Sequence, residues 1–161
     1  MISRRAFAIG LGLLPMAARA DAPGPFEVEK TEAEWREILT PARFAVLREH
    51  ATERAFTNEH MGERSDLLAE DRAGTYTCAG CGNPLYRSET KYDSRTGWPS
   101  FWEAIDGAVG TQDDYRLFFM RRTEVHCARC GGHLGHIFDD GPQPTGKRHC
   151  INGLAMEFDP D

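Results

Sequence analysis

The spacing of hydrophobic and polar positions divides the chain into distinct regimes. The run from Ala6 to Ala18 is apolar, contains Pro15 and is too short to span a membrane. From Thr31 to Glu49 the rhythm is helical. Thr31-Glu32-Ala33-Glu34 has the Thr-x-x-Glu form of a capping box, in which each side chain satisfies the other's free backbone N–H. A second helix is predicted from Thr40-Pro41, because proline in the first turn lacks only an N–H that would be unpaired there. It places Phe44, Val46 and Leu47 on or near one face, against Arg43, Arg48 and Glu49. The polar stretch from Thr57 to Ala73 reads as irregular. Beyond Gly74 short strands are expected at Thr75–Thr77, Arg116–His126, Leu134–Phe138, Arg148–Asn152 and Leu154–Phe158. Strands this closely spaced, with turn residues between them, predict antiparallel sheets rather than βαβ units. The expected fold class is mainly β, with short helices at the N-terminal end.

The apolar run changes the picture of the N-terminus. Arg4 and Arg5 precede it and Ala18-Arg19-Ala20 follows it, which is the layout of an export signal cleaved after Ala20. Ser3-Arg4-Arg5-Ala6-Phe7 is similar to a twin-arginine signal, read as an address rather than an anchor. The expected division is therefore an export signal over residues 1–20 and one catalytic domain over 21–161, with a periplasmic or otherwise exported location. A cytosolic chain with a frayed basic N-terminus is the bland alternative. The formal charge is −6 for the whole chain and −9 once residues 1–20, which carry three arginines and no acid, are removed. So acidic a chain lacks the electrostatic footprint of a nucleic-acid or anionic-lipid binder. No membrane span and no obligate assembly is indicated, and a monomer is expected.

Cysteines stand at positions 78, 81, 127, 130 and 150. Cys78-Ala79-Gly80-Cys81-Gly82 and Cys127-Ala128-Arg129-Cys130-Gly131 are matched knuckles. Two such turns can close a tetrahedral four-thiolate site with no open position, as in a structural zinc site. Redox dithiols or two disulfides are the other uses of four cysteines in an exported chain. Neither pair lies at a strand-to-helix junction, and twin-arginine substrates cross the membrane folded, which would let zinc load beforehand. Cys150 is left over. On a strand, Arg148, Cys150 and Asn152 share one face while His149 and Ile151 turn to the other. A guanidinium beside a thiol favours the reactive thiolate. His133, His136, Asp139 and Asp140 lie nearby among glycines and offer proton-transfer groups. His133 and His136, three residues apart, reach one site only if Gly135 permits a bulge. Pattern alone also allows Cys150 to be a small buried hydrophobe and Gly97-Trp98-Pro99-Ser100-Phe101-Trp102 to be core and turn.

Taken together, the segments resemble the methionine-R-sulfoxide reductases of the B type. The resemblance is carried by Ala33-Glu34-Trp35, Leu39-Thr40-Pro41, Thr52-Glu53-Arg54-Ala55-Phe56-Thr57, both knuckles, Lys91-Tyr92-Asp93-Ser94, Thr96–Trp102, His133–Pro142 and Arg148–Asn152, in the family's order. It implies two antiparallel sheets, a β-tent-like fold, with one structural Zn2+ per chain on Cys78, Cys81, Cys127 and Cys130. It implies thiol-dependent reduction of R-methionine sulfoxide in oxidised proteins or peptides, a protein-repair activity, with a Cys150 sulfenic acid as intermediate. His136 is then the acid, His133 and Asp140 hold it and a water, and Arg148 stabilises the thiolate. Trp98, Asn152 and Phe138 contact or position the substrate. Two positions depart from the family's common pattern. Thr96 stands where many members carry a resolving cysteine, which implies an external reductant, thioredoxin-like or a small thiol. His149 stands where an aromatic is frequent, and is expected to point away from the cleft. Competing readings are a non-catalytic zinc-ribbon-like binding module, which has no need of Cys150, and a second metal site on His133, His136 and Asp140.

Overall fold

In a computed structural model of the chain, residues 26–115 and 121–161 are described. The expected export signal lies outside the described residues, as does part of the Arg116–His126 strand. Among the described residues no helix is long and apolar enough to cross a membrane.

Local signals build the N-terminal end as expected. Helix α1 (Glu32–Ile38) starts at Thr31 with both halves of the capping box formed. Helix α2 (Pro41–Glu49) starts at Thr40, whose side chain accepts from the Arg43 N–H, and ends at His50 in the left-handed region. Burial on α2 is broader than one face. Phe44, Ala45, Val46 and Leu47 are all buried, because the helix is wedged against α1 and the sheet behind it.

The hairpin β1 (Glu59–His60) and β2 (Glu63–Arg64) interrupts the irregular stretch. A three-stranded antiparallel sheet contains β3 (Gly74–Cys78), β4 (Pro84–Arg87) and β11 (Met156–Pro160), in the order β11-β3-β4. A six-stranded antiparallel sheet contains β5 (Lys91–Tyr92), β6 (Ser100–Phe101), β7 (Val109–Asp114), β8 (Arg122–Cys127), β9 (His133–Phe138) and β10 (Arg148–Ile151), in the order β5-β6-β10-β9-β8-β7. The fold class matches the expectation of a mainly β chain with antiparallel sheets and two short helices. Between the sheets Tyr86 stacks on Phe101 at 4.3 Å and Tyr76 meets the same ring edge-on at 4.9 Å. Leu85, Leu134 and Ile151 complete this core.

The bulge that the two histidines require is present. Val125 pairs with Gly135 but His126 pairs with His133, so β9 carries an extra residue opposite β8. Gly135 is needed there for a second reason. A Cβ on it would overlap the Cys150 carbonyl of β10, so only glycine lets the two strands close. The register that follows sets Cys150 opposite His136 on one side and opposite Ser100 on the other.

Candidate active site

Cys150 lies at a small cavity of about 110 Å³ lined also by Thr52, Trp98, Arg122, His136, Phe138 and Asn152. Burial pushes its thiol above the ordinary value, while the Arg148 guanidinium pulls the other way; the Thr96 hydroxyl lies 3.9 Å from Sγ. Asp140 grips Arg148 in a two-point ion pair, Nε to Oδ1 at 2.8 Å and an Nη to Oδ2 at 2.9 Å. That hydrogen bond keeps the Asp140 carboxyl below the usual carboxylate range. The guanidinium also covers the Phe138 ring at 4.3 Å. His149 turns away from the cleft and shares a 3.2 Å hydrogen bond with the Tyr86 hydroxyl.

The histidines have partners that the sequence did not indicate. His136 Nε2 donates to Asp114 Oδ2 at 2.8 Å, and Asp114 also accepts from Arg122 at 2.7 Å. Burial lowers the His136 pKa, partly offset by Asp114. His133 is buried one layer beneath, 5.4 Å ring to ring from His136, and its Nδ1 donates to Glu124 Oε1 at 2.7 Å. Burial opposes ionisation of Glu124, but hydrogen bonds from His133 and Gln112, together with the His50 ring 3.0 Å away, outweigh it and hold the carboxyl low. The expected Asp140–histidine contact is therefore replaced: Asp140 binds Arg148, and Asp114 and Glu124 serve the histidines.

Asn152 borders the Cys150 cavity and is anchored from behind. Its carbonyl oxygen accepts from the Glu53 N–H at 3.1 Å and its amide donates to the Leu134 carbonyl at 3.0 Å, so the side chain is committed to the scaffold. Trp98 is fixed by its indole N–H, which donates to the Glu53 carbonyl at 3.1 Å. Glu53 itself, missed from the sequence, is buried and accepts from the Gly153 and Leu154 N–H groups at 2.7 and 2.9 Å.

A SelR domain family model matches residues 39–160. Proteins named peptide methionine sulfoxide reductase MsrB are similar over most of this chain. That of Bradyrhizobium diazoefficiens is 50% identical over 83% of this chain and 91% of its own. Those of Agrobacterium fabrum and Methanosarcina barkeri are each 47% identical, over 83% and 81% of this chain and 94% and 87% of theirs. The chain belongs to the SelR family.

The second assembly in this SelR domain is the thiol cluster. Cys78, Cys81, Cys127 and Cys130 bring their Sγ atoms within 4.8 Å of one another. The nearest pairs cross between the knuckles, Cys78 to Cys130 at 3.7 Å and Cys81 to Cys127 at 3.6 Å. These separations far exceed a sulfur–sulfur bond and match the roughly 3.8 Å edge of a tetrahedron of thiolates about 2.3 Å from zinc. Gly82 and Gly131 close the knuckles at φ of 69° and 68°, and each donates its N–H back to the first cysteine's carbonyl. The donor set is compatible with zinc. It joins the end of β3 in the small sheet to the end of β8 in the large one. Among the described residues, His133, His136 and Asp140 do not converge as a second metal site; His133 groups instead with His50 and Glu124.

Proposed function

We propose that this SelR-family chain reduces R-methionine sulfoxide residues of oxidised proteins and peptides to methionine, with Cys150 as the nucleophile. The observation that carries the reading is the isolation of Cys150. It stands apart from the thiol cluster, in a cavity it shares with the indole of Trp98 and the imidazole of His136.

Burial favours the neutral forms of both Cys150 and His136, so one proton starts on sulfur. With Nε2 donating to Asp114, the neutral ring of His136 leaves Nδ1 as its accepting nitrogen. As the Cys150 sulfur attacks the sulfoxide sulfur, this proton passes through His136 to the sulfoxide oxygen. Arg148, held by Asp140, stabilises the charge on the attacking sulfur. The hydroxyl then moves to Cys150 and methionine leaves. Cys150 has lost two electrons and the sulfoxide has gained them. The proton that left the thiol ends on the sulfenic acid, the reversible first stage of thiol oxidation. Trp98 and Phe138 enclose the methyl end of the substrate. Thr96 next to the sulfur offers no second thiol, so an external dithiol or two small thiols release water and restore Cys150. Cys78, Cys81, Cys127 and Cys130 hold one structural zinc ion, which contributes to folding and takes no part in the reaction. Residues 1–20 direct export by the twin-arginine route, the folded domain crossing with its metal.

The test is turnover of separate R and S methionine-sulfoxide peptides with dithiothreitol, beside Cys150→Ser. Reduction of the R epimer alone, abolished by the substitution, is expected. After one turnover without reductant the Cys150 peptide should carry one added oxygen, and a disulfide from Cys150 to another cysteine would refute external resolution. Turnover of neither epimer by the folded, zinc-loaded chain would leave a binding module as the better reading.

A further inference from the structure

Cys150 ends a chain of hydroxyls that the reaction above does not use. Thr96 Oγ1 lies 3.9 Å from its sulfur. Ser94 Oγ lies 2.8 Å from Thr96 Oγ1 and 2.7 Å from Ser100 Oγ. The Ser100 hydroxyl lies 3.1 Å from the Trp98 carbonyl oxygen. Each hydroxyl has one hydrogen to give, and a carbonyl can only accept. Ser100 must therefore donate to Trp98, Ser94 to Ser100, and Thr96 to Ser94. The last contact, between Thr96 and Cys150, can be bridged only by the hydrogen of the thiol.

Ionisation removes that hydrogen. Thr96 then either turns to the sulfur, which leaves one contact between Thr96 and the Trp98 carbonyl as two oxygens 2.7 to 3.1 Å apart with no hydrogen between them, or stays with Ser94 and gives the thiolate no bond. The same geometry closes the chain to proton release, because it ends on a carbonyl. We infer that Ser94 and Ser100 are positioning residues that act through Thr96 to keep Cys150 in its thiol form in the free protein, so that its proton departs by the cleft side. The inference deepens the reading of Cys150 as nucleophile and rests on it. The other groups facing the sulfur or its cavity are Arg148 on its own strand, Asp140 behind that arginine, Tyr92 from β5, Arg122 from β8 and His136 from β9. None of them touches the two serines through the hydrogen bonds just described.

Removing a polar group should here make the thiolate easier to form, against the usual sign. Ser94→Ala takes away Thr96's acceptor and frees its hydrogen for the sulfur. Ser100→Ala, two links further back, does the same, because Ser94 can then donate to Thr96. In the full, zinc-loaded chain the measurement is the pH profile of Cys150 alkylation by iodoacetamide, read on its own peptide by mass spectrometry. Each substitution should lower the midpoint by about one unit, a roughly tenfold gain in thiolate below both midpoints. In a Thr96→Val background neither should move it. Profiles that overlie the unsubstituted protein's, or shifts that persist once the Thr96 hydroxyl has been removed, overturn the inference. Should either serine variant fail to fold, the unsubstituted protein still decides. With four cysteines on zinc, the S–H stretch belongs to Cys150, and it must be displaced to the lower frequency of a hydrogen-bonded thiol; an undisplaced band is equally fatal. Alkylation needs no turnover, so a chain that shows these shifts and reduces no sulfoxide would refute the proposed reaction alone.

Discussion

His149 is the residue at which burial turns most directly into a pH dependence. Loss of water around the ring, together with the charge of Lys147, lowers its pKa from 6.5 to about 4. The unfolded chain therefore binds a proton between these values that the folded one refuses. Stability is full above about pH 6.5 and falls as the pH drops toward 4, by about 3 kcal/mol at most. Denaturant midpoints at pH 5 and pH 7.5 should show this loss in the native chain and a smaller one in His149→Phe. Asp114→Asn acts on the cleft instead. It removes the partner that holds the His136 pKa up, so reductase turnover at neutral pH should fall on the order of tenfold while the fold persists. An unchanged rate would take His136 out of the proton path. The sequence made Arg148 and Cys150 legible together because they alternate on one strand. Asp114 and Glu124 were not legible: they reach the histidines across β7 and β8, and pairing between strands distant in sequence leaves no local mark.

At the scale of elements, what was local was readable. The caps at Thr31 and Thr40 place both helix starts correctly, because capping is decided within four residues. Short polar strands escaped. β7 runs through the exposed Thr111-Gln112-Asp113 and becomes a strand by pairing with β8. The last strand begins at Met156 and not at Leu154, because Glu53 binds the two N–H groups that open the turn before it. The bulge in β9 was foreseeable as a need of two histidines, and Gly135 is what makes it compatible with β10. Gly135→Ala should cost at least about 2 kcal/mol by chemical denaturation, since the overlap is with backbone and no side chain can rotate away. A stable variant with native turnover would show that β9 and β10 can separate without harm to the site.

For the whole molecule, the decisive feature is that the thiol cluster ties one sheet to the other. Each knuckle was legible from spacing, but the joining of two sheets was not, since it depends on where β3 and β8 lie. A structural zinc site can contribute roughly 10–16 kcal/mol, as much as the entire net stability of a typical domain. Chelation, or Cys81→Ser at the least buried of the four, should therefore abolish cooperative thermal unfolding followed by circular dichroism, and added zinc should restore it after chelation. Persistence of the full transition in zinc-free protein would mean that the aromatic core suffices alone. The same clamp has a mechanical meaning. Cys78 and Cys130 are 52 positions apart in sequence, yet their sulfurs almost touch. With zinc bound there, a molecule pulled from its two ends would transmit tension through the metal and bypass the segment between the two cysteines. The enclosed segment would add its roughly 170 Å of contour length only when a metal–sulfur bond ruptures. Asp114 and Glu124, the carboxylates that hold the two histidines, lie inside that shielded loop, whereas Cys150 and His136 lie beyond it.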